Sequence, residues 1–263
     1  MLFDVRWLLL MLGAGIVFGL LSPVVTARRM MFLAAAMPHS ALLAAVIGIP
    51  LYASYGLDPG VWAVIIGTPL PLIIYLLERR GVDEEVATSV YVAGTASASV
   101  ALIYYVLTRY PMKASLWSYI LGDPLLSSWG DVRLSLAITI LVLVVLTPFL
   151  REQILLGVDR DFAVSSGIRS AFYDVSFLLL LSLSTIGFMK TVGYVLEHVL
   201  ILLPSSIALL LARSGKQVVL YSFSLAVVSA VAGLFTGLYL NLQVSASVGF
   251  VLLALYILAL LRR

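Results

Sequence analysis

The sequence predicts an all-α membrane protein of about nine transmembrane helices. Three observations lead there. Hydrophobic residues make up 62% of the 263 positions and charged residues only 11%, with a mean hydropathy of +1.13. Soluble domains carry about 25% charged residues, and a soluble chain of this composition would expose apolar surface it could not cover. The apolar residues fall in runs of roughly 20, the length at which a helix crosses the hydrocarbon core. The basic residues sit between those runs and favour one side of the membrane.

Nine stretches meet the length rule: 7–26, 31–55, 60–77, 86–108, 132–150, 171–188, 191–212, 217–240 and 244–261. The first follows Asp4 and Arg6 and ends before Arg28 and Arg29. It has no small-residue cleavage site ahead of a hydrophilic mature protein, so it reads as a helix and not as a removed signal peptide. Pro69 and Pro71 kink the third stretch, which neighbouring helices tolerate. The third and sixth are short, with room for little tilt or for partial re-entry. No second domain is apparent, and residues 1–263 read as one transmembrane domain.

Sidedness follows from Lys and Arg. After odd-numbered helices come Arg28, Arg29, Arg79, Arg80, Arg151, Arg160, Arg169, Arg213, Lys216, Arg262 and Arg263; the other side holds Arg6, Arg109, Lys113, Arg133 and Lys190. Eleven against five of the 16 basic residues places the first set in the cytoplasm. The N-terminus is then outside and the C-terminus inside, which an odd helix count satisfies. The longest cytoplasmic connection, Arg151 to Tyr173, is too polar to span and too apolar for a free linker. Within it Asp161-Phe162-Ala163-Val164, followed by Gly167, reads as a short helix ended by glycine. Such a helix lies at the membrane surface and either docks a partner or is simply interfacial.

Composition removes several function classes. With no cysteine there is no disulfide, zinc-thiolate site, iron–sulfur cluster or thiol nucleophile. A net charge of +3, dispersed between apolar runs, gives no support to nucleic-acid binding. Gly215-Lys216 is followed by Gln217, so no phosphate cradle exists, and H-E-x-x-H and G-x-S-x-G are absent. The chain reads as a transporter subunit and not as an enzyme, its energy coming from an ion gradient or a separate ATPase.

Ionisable residues inside spans are costly and therefore candidates for function. They are few: His39 in the second span, and Glu197 and His198 in the seventh. Imidazole and carboxylate suit Zn²⁺, Mn²⁺ or Fe²⁺. For upright helices, His39 lies roughly 5 Å inward of the midplane and His198 roughly 5 Å outward. A path with one ligand above another fits those depths better than one ion held by all three. Each histidine also has a plain interhelical hydrogen-bonding reading. Glu197 and His198 project about 100° apart and do not share a narrow wall.

Three segments carry a family resemblance. They are RRMMFLAAAMPHSALLAAVIG (Arg28 to Gly48), VDRDFAVSSGI (Val158 to Ile168) and VGYVLEHVLILLPSSIALLLAR (Val192 to Arg213). In order and spacing the chain resembles the ABC-3 metal permeases of zinc, manganese and iron importers, over nearly its whole length. The resemblance implies a homodimeric permease in the plasma membrane. Its partners would be a dimer of ABC ATPase subunits and an extracytoplasmic metal-binding protein, and the transported metal ion its only bound ligand. It also implies that Asp159, Asp161, Phe162, Ala163 and Gly167 form the coupling helix that inserts into the ATPase. Two departures stand out: the family's Asp four residues before the helix-two histidine is Ala35 here, and Glu197-His198 replaces small or apolar residues. The pair on helix seven is expected to compensate in the metal pathway. Imidazoles with few carboxylates favour zinc over manganese. The alternatives are a proton-coupled secondary transporter using Glu197, and a non-transporting membrane scaffold or an intramembrane enzyme using an unrecognised site.

Overall fold

A computed structural model describes residues 3–110 and 122–262; Lys113 and Arg263 of the basic sets lie outside them. All regular structure among the described residues is helical. Helix α1 (Val5–Ala27) starts at an Asp4 cap that accepts the Arg6 backbone N–H at 2.9 Å. Helix α2 (Met31–Tyr55) ends at Gly56 in the left-handed conformation. The third expected span is two pieces, α3 (Pro59–Gly67) and α4 (Leu72–Glu78), interrupted around Pro69 and Pro71 as those prolines require. Helix α5 (Glu84–Arg109) is capped by Asp83. After a 3₁₀ turn (Pro124–Leu126), α6 (Trp129–Val158) opens with a Ser128–Asp131 capping box. A short helix α7 (Arg160–Ser165) leads to α8 (Ser170–Leu211), α9 (Gly215–Leu240) and α10 (Val244–Leu261).

Among the described residues, eight helical segments are long and apolar enough to cross a membrane, α3 with α4 counting as one. The expected sixth and seventh spans both lie in α8, 42 residues with a non-helical Gly193 in the middle. A straight helix of that length would run about 63 Å, twice the hydrocarbon thickness. The contacts show a reversal instead. Asp174 binds Arg28, at the end of α1, at 2.8 Å. Lys190 binds Asp131, at the start of α6, at 2.8 Å. That end of α6 adjoins the start of α1, where Arg6 and Trp7 donate to the carbonyls of Ser127 and Leu125. Past Gly193 the chain returns, and Ser205 meets Ser22 near the end of α1 at 2.8 Å. Helix α8 therefore runs from one end of the bundle to the other and back, and one of those ends is strongly basic. Gly193 has φ 81° and ψ 161°, a conformation essentially restricted to glycine.

The core surrounds α1, whose Met11, Ala14, Val17, Phe18, Leu21 and Val24 are fully buried. Gly15 and Gly19 bring its backbone against Ala226 and Ala230 of α9, the small-residue packing that membrane helices use where no hydrophobic effect drives association. The Phe18 and Phe188 rings meet edge-on at 5.8 Å and join α1 to α8. This frame holds the midsection of α8 against α2, where the candidate ligands lie.

Candidate transport site and inner clamp

Tyr194, His198 and His39 form one cluster. Tyr194 and His198 are one turn apart on α8, and their rings lie tilted at 49° with centroids 4.5 Å apart. The Tyr194 hydroxyl lies 3.1 Å from His39 Nε2 of α2. His198 Nδ1 is 2.8 Å from the Tyr194 carbonyl, and its Nε2 is 2.8 Å from the Ala35 carbonyl of α2. The two histidines thus meet on one tyrosine, closer than the depths expected of upright helices. Both His198 nitrogens face acceptors. With one nitrogen against its own helix and the other against the Ala35 carbonyl, His198 is a tie between α2 and α8.

Glu197 does not join them. Its side chain is fully buried, with no exposed area, and neither carboxyl oxygen has a hydrogen-bond partner. It shares the inward face of α8 with Leu200, Ile201 and Pro204. Among the described residues no group of three or more His, Cys, Asp or Glu converges as a metal cage. The structure therefore brings His39 and His198 together and leaves Glu197 apart. Tyr194 is the member that sequence reasoning missed; its place one turn before His198 was the available signal.

The second constellation lies at the basic end. Helix α7 forms because Asp159 caps it, accepting the Phe162 backbone N–H at 2.9 Å. It stops at Gly167, whose φ of 88° closes the turn while the Ile168 N–H returns to the Ala163 carbonyl at 3.1 Å. Ala163 is buried against the bundle, Phe162 is 57% exposed, and Asp161 is exposed in the first turn. Asp174 anchors α7 to the frame, accepting from Arg160 at 2.6 Å and from Arg28 at 2.8 Å. Arg28 also donates to the Gln153 carbonyl of α6 at 3.2 Å, and Gln153 donates to the Tyr173 carbonyl at 3.2 Å. Burial pushes the Arg28 guanidinium below its usual pKa, and Asp174 pulls it back up. The Asp174 hydrogen bond raises that of the more open Arg160. One carboxylate thus serves a buried cation of the bundle and an exposed cation of the surface helix.

Known proteins place this arrangement. A manganese import system permease protein, ScaB, of Streptococcus gordonii is 25% identical over 234 residues, 89% of this chain and 82% of that one. A manganese transport system membrane protein, MntC, of Halalkalibacterium halodurans is 27% identical over 246 residues, 93% of this chain and 82% of its own length. Among solved structures, a chain of PsaBC from Streptococcus pneumoniae in complex with Fab superposes with a TM-score of 0.82 at 21% identity, covering 97% of this chain and 89% of that one. This is the same all-helical fold. The model of the ABC 3 transport family matches residues 2–263, and this multi-pass plasma-membrane protein belongs to that family.

Proposed function

We propose that this chain is the membrane-spanning permease of an ATP-driven importer of divalent metal ions, with manganese the leading substrate. The observation that carries the reading is the match of the family along residues 2–263, joined to a capped helix held out from the basic end on an ion-paired strut. The names of the manganese permeases ScaB and MntC support manganese over the zinc that an imidazole count favours. In this reading two copies line a path along their shared axis. An extracytoplasmic binding protein delivers the ion, and an ATPase dimer grips α7 through Asp159, Asp161, Phe162, Ala163 and Gly167 from the cytoplasm.

His39 is the first ligand of the path: its Nε2 shares one hydrogen bond with the Tyr194 hydroxyl, which an arriving ion displaces. His198 must leave the Ala35 carbonyl before it can bind an ion, so ligation by His198 is coupled to separation of α2 from α8. Glu197 requires rotation of the second half of α8 to reach the same wall. The three act in sequence as α8 moves, which suits release better than a fixed cage.

The test is uptake of radioactive Mn²⁺ by proteoliposomes holding the permease with its ATPase. His39→Ala is expected to lower uptake at least tenfold with ATP hydrolysis retained. Phe162→Ala combined with Asp161→Ala is expected to lower ATPase binding and uptake together. A second reading rests on Glu197, whose buried, unpartnered carboxyl resembles a proton-coupling site. In that case an uncoupler abolishes uptake and omission of the ATPase leaves it intact; either result refutes the ATP-driven importer.

A further inference from the structure

A crevice of about 930 Å³ opens at the basic end, away from the histidines, between the last turns of α8 and α10 and the first half of α9. This is at the upper end of the range of small-molecule sites, about 300–1,000 Å³. Arg213 and Arg262 line it at the rim, and neither forms an ion pair among the described residues. Its depth is apolar: Leu225 and Val228 of α9 and Leu255 of α10. Val228 lies 13 residues into α9, roughly 20 Å along its axis at 1.5 Å per residue.

These dimensions discriminate between occupants. A protein docking from the aqueous phase covers the rim and does not follow an apolar helix face some 20 Å along its axis. A second copy packed there about a two-fold axis would bring the same arginines of each chain toward each other. A phospholipid has the matching form: an anionic head at the arginines and an acyl chain in the apolar slot. Paired basic residues where helices meet the membrane surface are the recognised pattern for anionic headgroups.

We propose that this crevice binds one anionic phospholipid, its phosphate at Arg213 and Arg262 and an acyl chain along Leu225, Val228 and Leu255. The lipid wedges the ends of α8, α9 and α10 apart and completes a packing surface the chain alone leaves open. The inference holds whichever ion the permease carries.

The experiment uses the full chain in nanodiscs of equimolar phosphatidylglycerol and phosphatidylcholine, with native mass spectrometry of the lipid retained on release. Two arginines at roughly fivefold each give an expected preference of about 25-fold for phosphatidylglycerol. Arg213→Gln with Arg262→Gln is expected to bring that preference close to one. Val228→Trp, which blocks the slot and spares both charges, is expected to reduce retention of either lipid. Equal retention of the two lipids by the unaltered chain, or a preference unmoved by both variants, overturns the proposal. A photoreactive residue at Tyr221 identifies the occupant directly: a lipid adduct supports the site, and an adduct with a second copy or with the ATPase overturns it.

Discussion

Arg28 and Asp174 are 146 residues apart in the chain, yet they form the most enclosed ion pair described, with side chains 4% and 12% exposed. Arg160, on the other side of the same carboxylate, is 56% exposed. The two halves of the clamp should respond differently to mutation. Asp174→Asn leaves a buried guanidinium without its counter-charge and is expected to cost about 3 kcal/mol. Arg160→Gln removes only a solvated partner and is expected to cost under about 1 kcal/mol. Thermal unfolding of the detergent-solubilised chain measures both, and equal losses would show that Asp174 is not the hinge of the network. Glu197 makes a contrasting case. Removing a buried polar group with no partner relieves a desolvation penalty of about 1–3 kcal/mol. Glu197→Met, close in volume, is therefore expected to raise the unfolding midpoint. If Glu197 serves the metal path, the same variant loses uptake, a gain in stability set against a loss of function. A stabilised variant with full uptake would assign Glu197 no transport role. The histidines and Glu197 were legible in the sequence because charge in an apolar run stands out on its own. Tyr194, Arg28 and Asp174 were not, since their roles depend on partners that only the packing of α1, α2 and α8 brings near.

At the level of elements, composition and helix length located the long apolar helices among the described residues, because hydropathy in a bilayer is a strong one-dimensional signal. The break between α3 and α4 was visible in Pro69 and Pro71, and α7 in its apolar core and terminal glycine. The tightness of the α8 reversal was hidden. At the turn the sequence offers only Lys190, Thr191 and Gly193, too short a break to show how the chain reverses, and a single glycine beside apolar residues reads equally well as close packing. Its dihedrals make it the fulcrum of the hairpin. Gly193→Ala forces a Cβ into a glycine-only region and is expected to cost about 1–3 kcal/mol. The Lys190–Asp131 pair and the Tyr194–His39 bond lie on opposite sides of this fulcrum, so uptake should fall along with the unfolding midpoint. A Gly193→Ala chain with unchanged stability would mean that the turn is free to take another conformation.

For the whole molecule, the fold makes a prediction about sidedness that hydropathy alone cannot. Ser166 precedes α8 and Ser214 follows it, and both are exposed. If α8 crossed the membrane once, the two would be on opposite sides. Because the chain turns back at Gly193, Asp174 and Ser205 both reach the end of α1 near Arg28, and Ser166 and Ser214 must share a side. By the excess of basic residues that side is expected to be the cytoplasm. The chain contains no cysteine, so single-cysteine reporters can be placed without background. Leu57→Cys and Leu126→Cys, exposed at the other end, are expected to react with a membrane-impermeant maleimide in intact cells. Ser166→Cys and Ser214→Cys are expected to react only after the membrane is opened. Labelling of Ser166→Cys without Ser214→Cys in intact cells would rule out the hairpin. Labelling of both would invert the molecule and put α7 beyond the reach of a cytoplasmic ATPase, removing the proposed coupling with it.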